Sequence, residues 1–282
     1  MTIRLDQALL QATRQLKEAG VEGARQDAGI LIVHVLCAER DILYLEPEKL
    51  LTATQYQQFQ TLIDRRSARE PVSHLVGSRE FWSRDFIVNE HVLDPRPDTE
   101  TLVEEALNEM SDLSKSYRIL DLGTGSGCLI LTLLAERSKA KGTAVDLSAA
   151  ALNVAEKNAS NLKLSSRCDF IQSSWFERVA GSFDVIVSNP PYIPNADAAT
   201  LQPEVLDHEP HLALFAGADG LDCYRDIIET APDYLVTGGW LGFEVGIHQA
   251  NTVKILMAER GFSDLKITND LASIGRCVSG RY

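Results

Sequence analysis

Three clusters in this 282-residue chain have residue types and spacing that could do chemistry together. The first is Asp121-Leu122-Gly123-Thr124-Gly125-Ser126-Gly127, in which an apolar stretch runs into three alternate glycines and then into the apolar segment that opens at Cys128. Glycine accepts positive φ and carries no Cβ, so a ligand can approach the main chain there. The helix expected to follow offers unpaired N–H groups. A dinucleotide site reads GxGxxG and seats a pyrophosphate on such groups. The pattern here is GxGxG, which favours a smaller ligand without that phosphate. The second cluster is Asp146, 23 residues beyond Gly123 at the end of the next expected strand, where an acidic side chain can hold both hydroxyls of a ribose. The two together describe an adenosyl pocket.

The third cluster is Asn189-Pro190-Pro191-Tyr192, directly after the apolar run 183–188. The C-terminal edge of a parallel strand is where open α/β sheets bind ligands. Two prolines lack N–H donors and fix φ, so the loop is stiff and its carbonyls are free to accept. Asn189 adds a side-chain acceptor. Two acceptors aimed at one point suit an NH₂ group, and the Tyr192 ring offers a face to a planar amide or base. The substrate expected from this loop is a planar amine or amide. Its nitrogen would be activated by placement against an electrophilic methyl, since no strong base is evident in the cluster.

These residues need a scaffold, and the hydrophobic period describes one. Up to about Glu70 the chain reads as a small helical bundle: one face carries Leu5, Leu9 and Leu16, with further helices expected over 24–36 and 52–69. From Pro71 the period changes, with short strands expected around Val72 to Val76, Phe81-Trp82 and Phe86 to Val88, so 71–97 is taken as a connecting hairpin. After a helix over 98–110, strands are expected at 118–122, 142–146, 168–172, 183–188, 240–245, 264–268 and 276–279. Helices at 128–139, 148–160, 221–235 and 249–260 alternate with them, the signature of a parallel sheet with crossover helices. The domain reading is therefore 1–70, 71–97 and 98–282.

Composition narrows the function classes. Lys+Arg 27 against Asp+Glu 40 gives a net charge of −13, a field that repels phosphate backbones, so direct nucleic-acid binding is not expected. The first seventy residues hold nine basic and ten acidic side chains, a near-neutral surface that favours a protein partner. Five scattered cysteines without a CxxC pair suggest reduced thiols and no zinc site. No signal-peptide core or membrane-length apolar run is visible, and a soluble cytoplasmic protein is expected. His208 and His211 lie near Glu204, Asp207 and Glu209, but the stretch reads as surface and no metal is expected. The aperiodic segment 194–220 reads as a substrate-facing lid, and Cys128 as a packing residue.

Asp121 to Gly127, Asp146 and Asn189 to Tyr192, in this order and spacing, resemble the class I S-adenosylmethionine-dependent methyltransferases that act on amino or amide nitrogens. With the helical N-terminal region, Arg79-Glu80-Phe81-Trp82 and Pro95-Arg96-Pro97-Asp98-Thr99-Glu100, the resemblance narrows to the HemK/PrmC family, the N5-glutamine methyltransferases of peptide chain release factors. It spans nearly the whole chain.

The resemblance implies a Rossmann-like seven-stranded sheet with its last strand antiparallel, S-adenosylmethionine as donor, and the glutamine of the release-factor Gly-Gly-Gln loop as acceptor. It assigns Gly123, Thr124, Gly125, Ser126 and Gly127 to the methionine end of the cofactor, Asp146 to the ribose and Trp175 to the adenine. Asn189 Oδ1 and the Pro190 carbonyl would hold the glutamine amide, with Pro191 and Tyr192 completing the substrate site and Asn189 also bordering the cofactor. The catalytic set is then Asn189, Pro190 and Tyr192, walled by the 79–82 and 95–100 segments. Two positions depart from the family pattern: Asp94 replaces an aliphatic residue before Pro-Arg-Pro, and Ser174 replaces an acid before the adenine-site aromatic, which predicts weaker cofactor affinity. A methyltransferase of exocyclic base amines in DNA or RNA is the alternative that the same loop would serve, and a basic face would be its mark. A non-catalytic binding module is disfavoured because every chemical part is present at once.

Overall fold

The computed structural model describes residues 3–282. They form two compact units, one running to Ser78 and taking in Gln202–His208, the other made of Arg79–Leu201 and Glu209–Tyr282. Among the described residues, no helix is long and apolar enough to cross a membrane.

The first unit opens with β1 (Ile3–Arg4), α1 (Leu5–Glu18), α2 (Ala24–Leu36), α3 (Ile42–Leu45), β2 (Leu50–Leu51), α4 (Ala53–Ser67) and α5 (Val72–Val76). The apolar face of α1 meets Leu31 and Ile32 of α2 and Phe59 and Ile63 of α4 in one buried cluster. Thr52 and Gln55 start α4 with a reciprocal capping box, which satisfies two of its unpaired N–H groups. The strand expected around Val72 to Val76 is instead the single helix α5, with Pro71 ahead of it and Gly77 at φ 77° closing it. Apolar side chains at 72, 75 and 76 share a helical face, and the proline and glycine bracket one turn of it.

The second unit begins at Arg79, inside the hairpin of β3 (Ser78–Phe81) and β4 (Arg84–Ile87), which are joined through Trp82 and Ser83 at φ 52° and 55°. Both central residues at positive φ match the twist of a tight hairpin. There follow α6 (Glu100–Glu109), β5 (Arg118–Leu122), α7 (Cys128–Glu136), β6 (Lys141–Asp146), α8 (Ala149–Asn161), β7 (Cys168–Gln172), β8 (Phe183–Ser188), α9 (Pro203–His208, of the first unit), α10 (Asp222–Thr230), β9 (Leu235–Glu244), α11 (Ala250–Arg260), β10 (Ser263–Asn269) and β11 (Gly275–Arg281). The seven-stranded sheet has the order β10-β11-β9-β8-β5-β6-β7. Neighbours from β9 to β7 are parallel, whereas β11, the last strand in sequence, is antiparallel to both β9 and β10.

Both faces of the sheet's centre are covered, which is why β5 and β8 are mostly apolar and buried along their length. Ile119, Val185 and Val187 join Leu129 to Leu134 of α7 in one cluster. Leu120, Leu122 and Ile186 join Tyr224, Ile227, Val253 and Met257 in the other. The strand order reverses between β5 and β8, so their C-terminal loops diverge and open a crevice at that edge.

Asn158 of α8 ties the glycine loop to the hairpin. Its Oδ1 accepts from Ile87 N at 2.7 Å, and its Nδ2 donates to Ile87 O at 3.0 Å and Ser126 O at 2.9 Å. Asn158→Ala strands these buried groups, and a loss of about 2–4 kcal/mol in urea denaturation is expected. An unchanged midpoint and slope would remove this tie from the account of the loop.

Candidate active site

The glycine loop leaves β5 and enters α7 with Gly123, Gly125 and Gly127 at φ 74°, 54° and 79°. A Cβ at Gly127 would stand 3.0 Å from Leu131 Cδ1 and 3.2 Å from Ala155 Cβ, so strand-to-helix packing also requires glycine there. Asp121 is buried just before the loop, and Thr124 Oγ1 donates to its Oδ2 at 2.6 Å. Burial pushes the Asp121 carboxyl up to about 7.

Asp146 ends β6. Its Oδ2 accepts from Gly125 N at 2.9 Å and its Oδ1 from Ser148 N at 2.8 Å. These bonds orient the carboxylate toward the glycine loop while each oxygen keeps a further lone pair. Burial raises its pKa against the three backbone N–H bonds that favour the charged form. Helix α8 is capped by Ser148 Oγ, which accepts from Ala151 N at 3.2 Å, so capping is not left to Asp146 alone. Beyond β7, Trp175 takes φ 41° and its ring edge lies 3.6 Å from where a Cβ of Gly123 would stand.

Asn189 follows β8, whose Ser188 is level with Leu122 on one side and Phe243 on the other. Ser188 Oγ donates to Leu122 O at 2.6 Å, which fixes the start of the loop against β5. Asn189 Nδ2 points to Thr99 Oγ1 at 3.4 Å, and Thr99 Oγ1 donates to Glu244 Oε2 at 2.5 Å. Asn189 Oδ1 is buried and has no hydrogen-bond partner. A buried acceptor without a partner costs about 1–3 kcal/mol, a price that points to function.

A cavity of about 330 Å³ joins these parts, within the ordinary range for small-molecule sites. Gly123, Thr124, Gly125, Ser126, Asp146, Trp175, Asn189 and Pro191 all line it. Three expected residues do not. Gly127 packs under the loop, Pro190 is buried, and Tyr192 packs against the cluster that holds Val245, its carbonyl accepting from Gln249 Nε2 at 2.9 Å. Of the expected walls, Pro95, Arg96 and Thr99 line the cavity, whereas Pro97, Asp98, Glu100 and residues 79–82 do not, though Arg79 Nε lies 3.9 Å from Oδ2 of the lining Asp94.

Asp94 and the 95–100 segment are named from the sequence, but Glu244 and the pairings that Thr99 and Arg96 make are not. Thr99 links Asn189 to Glu244, which could have been noticed as an acid ending an apolar strand. Asp94 lines the cavity with a buried, unpartnered Oδ1. Arg96 donates to both oxygens of Glu209 at 2.7 and 2.9 Å, while burial still pushes that carboxyl up to about 7. The segment expected to form a lid contributes Pro210, Leu212, Ala213 and Phe215 to the lining. Glu204, in the stretch weighed for metal binding, is held by Arg66 and Arg69 at 2.9 and 2.6 Å. Burial pushes the Cys128 thiol up to about 12, so it lines the cavity in its neutral form.

Two family models match the chain, a PrmC N-terminal domain over residues 7–77 and a methyltransferase small domain over 96–208. The release factor glutamine methyltransferase of Rhodospirillum rubrum is 45% identical over 267 residues, covering 95% of this chain and 82% of that relative. The chain belongs to the release factor glutamine methyltransferase family. The relative of that name from Cereibacter sphaeroides is 43% identical over 279 residues and covers 99% of both chains. A methyltransferase from Pyrococcus furiosus, with TM-score 0.53, 18% identity and coverage of 79% of this chain and 96% of its own, shares the fold. The expected family and the class I fold with an antiparallel last strand are thus those observed, and the glycine loop and Asn189 loop flank the crevice of a release factor glutamine methyltransferase.

Acidity should register in stability. Asp121 and Glu244 have folded pKa values near 7 against ordinary values of 3.8 and 4.5, so the folded state holds more protons between those limits. Stability is then expected to rise as pH falls from 8 to 6, read as an increased urea midpoint. A midpoint that falls over that interval would contradict the burial of these carboxyls.

Proposed function

We propose that this chain is an S-adenosylmethionine-dependent protein-(glutamine-N5) methyltransferase, which methylates the side-chain amide of the glutamine in the Gly-Gly-Gln motif of peptide chain release factors. The observation that carries the reading is the buried, unpartnered Asn189 Oδ1 on a proline-stiffened loop beside the glycine loop. The names of relatives 45% and 43% identical support the acceptor.

The residues fit the cofactor. Glycines at positive φ let a ligand lie on the main chain, the Asp146 carboxylate has lone pairs for ribose hydroxyls, and Trp175 lines the cavity as a face for adenine. Bound there, S-adenosylmethionine supplies an electrophilic methyl group. Ser174 lines the cavity where the family pattern has an acid, and its hydroxyl is the weaker acceptor.

The protein's own part is to hold a poor nucleophile. An amide nitrogen has its lone pair delocalised into the carbonyl, so it reacts only when placed and polarised. Asn189 Oδ1 and the Pro190 carbonyl each accept one of its N–H protons, which fixes the nitrogen in space and favours positive charge developing on it. Such placement is worth about 7–11 kcal/mol when alignment is complete. Tyr192 packs behind the loop rather than into the cavity, and burial pushes its hydroxyl up to about 12, so it stays protonated and does not act as the base. A protein acceptor also agrees with the net charge of −13, and the setting would be the cytoplasm, where release factors work.

Methyl transfer from labelled S-adenosylmethionine tests the reading, with a release factor, its Gly-Gly-Gln glutamine-to-alanine variant and duplex DNA offered in parallel. Label on the intact factor alone is expected. Label on DNA would replace it with the base-amine reading.

A further inference from the structure

We propose that Thr99 and Glu244 form a buried relay that dictates which end of the Asn189 side-chain amide faces the acceptor, so that both are positioning residues for methyl transfer. The proposal rests on the reading of Asn189 as the amide acceptor.

Both residues are sealed from solvent, Thr99 at 2% and Glu244 at 1% exposure. The chain of contacts runs from Glu244 Oε2 to Thr99 Oγ1 at 2.5 Å and on to Asn189 Nδ2 at 3.4 Å. A threonine hydroxyl has one proton and two lone pairs, and an ionised carboxylate only accepts. Thr99 therefore commits its proton to Glu244 and turns lone pairs toward Asn189. Only the NH₂ end of the Asn189 amide can answer them, so Oδ1 is left facing away as an acceptor. The opposite rotamer would set Oδ1 against those lone pairs and present NH₂ to the NH₂ of the substrate, two donors to each other. The two ends of an asparagine amide have nearly the same shape, so packing alone cannot choose between them.

Every element around Glu244 bears on its charge. On β11, Arg276 lies within electrostatic reach and is itself held by Asp98 at 3.0 Å and Asp270 at 3.4 Å. Asp98 and Arg96 act from the segment before α6, and Tyr192 and Cys128 face Glu244 electrostatically from the loop after β8 and the start of α7. From α10, the Tyr224 hydroxyl donates to the Glu244 main-chain oxygen at 2.9 Å. Burial pushes the carboxyl up to about 7, so both of its states are reachable near neutral pH. A protonated Glu244 can donate to Thr99, which frees the Thr99 proton to turn toward Asn189 and draws Oδ1 back. Turnover then falls on the acid side.

The test compares wild type, Thr99→Val, Thr99→Ser and Glu244→Gln in steady-state methyl transfer to a release factor. Thr99→Val is expected to lower kcat on the order of 10- to 100-fold, the scale for outer partners that orient a directly acting ligand. KM for the factor and the S-adenosylmethionine dissociation constant should stay at wild-type values, and Thr99→Ser should restore kcat. Glu244→Gln, whose amide can donate or accept, should lose the acid limb of the kcat profile. The side-chain amide signals of Asn189 in nitrogen-resolved NMR spectra give a readout that needs no turnover, and they should titrate near neutral pH in wild type but not in Glu244→Gln. Wild-type kcat in Thr99→Val, no rescue by Thr99→Ser, or Asn189 signals indifferent to Glu244→Gln would overturn the relay. An inactive wild type whose Asn189 signals still follow Glu244 would instead fail the functional reading and leave the relay standing.

Discussion

Replacing Asn189 by alanine is expected to lower kcat by about 100- to 1,000-fold, the scale of losing one preorganised group that stabilises transition-state charge. The side-chain oxygen is buried and unpartnered, and Thr99 links the other end of the amide to Glu244. Alanine keeps the backbone of the Asn189-Pro190-Pro191-Tyr192 loop and the Ser188 anchor to β5, so the fold and the cofactor end of the cavity should persist. Cofactor binding measured by isothermal titration should therefore remain close to wild type while turnover collapses. Near-normal turnover would show that the substrate amide is held by other groups.

The second large effect should come from Asp146→Ala, and it should fall on cofactor affinity. The carboxylate is oriented by Gly125 N and Ser148 N at 2.9 and 2.8 Å, with lone pairs left for two hydroxyls. Charge-assisted hydrogen bonds are worth about 1.5–3 kcal/mol each, so removing them should raise the S-adenosylmethionine dissociation constant by about 10- to 100-fold or more. The substitution also leaves Gly125 N without its acceptor and loosens the loop itself. At saturating cofactor, kcat should recover toward wild type, because no atom of Asp146 belongs to the amide-holding set. An unchanged dissociation constant would mean that the ribose is held elsewhere.

How legible the molecule was in its sequence varied with how locally each feature is encoded. Strands β5 and β8 span the residues that apolar runs mark, because a parallel strand covered on both faces is mostly apolar, and the edge strand β7 spans its expected 168–172 with Asp169 and Gln172 exposed. Strand β9 starts at Leu235 rather than at 240, since Thr237-Gly238-Gly239 reads as a turn. In the fold Gly238 takes φ 75° and the pairing of β8 with β9 shifts between Phe183 and Val185, so the glycines form an irregularity inside the strand. Helix α5 was misread because five residues give too little pattern to separate a turn of helix from a short strand.

At the site, the glycine loop, Asp146 and the Asn189 loop were legible because each is a contiguous motif with its own chemistry. Glu244, Glu209 and the pairings they make with Thr99 and Arg96 were not. They matter only because β8 lies between β5 and β9 and brings Ser188 level with Phe243, a neighbourhood set by strand order rather than by spacing along the chain. The departures at Asp94 and Ser174 were visible in sequence, yet only the fold shows that both residues line one cavity, with Asp94 contributing an unpartnered oxygen.

The most direct test of the central claim is to locate the transferred methyl group by fragmentation mass spectrometry of a release factor incubated with this protein and S-adenosylmethionine. The account predicts a single added methyl on the side-chain amide of the Gly-Gly-Gln glutamine. A methyl group on any other residue, or an unmodified factor in the presence of enzyme shown to bind the cofactor, would contradict it.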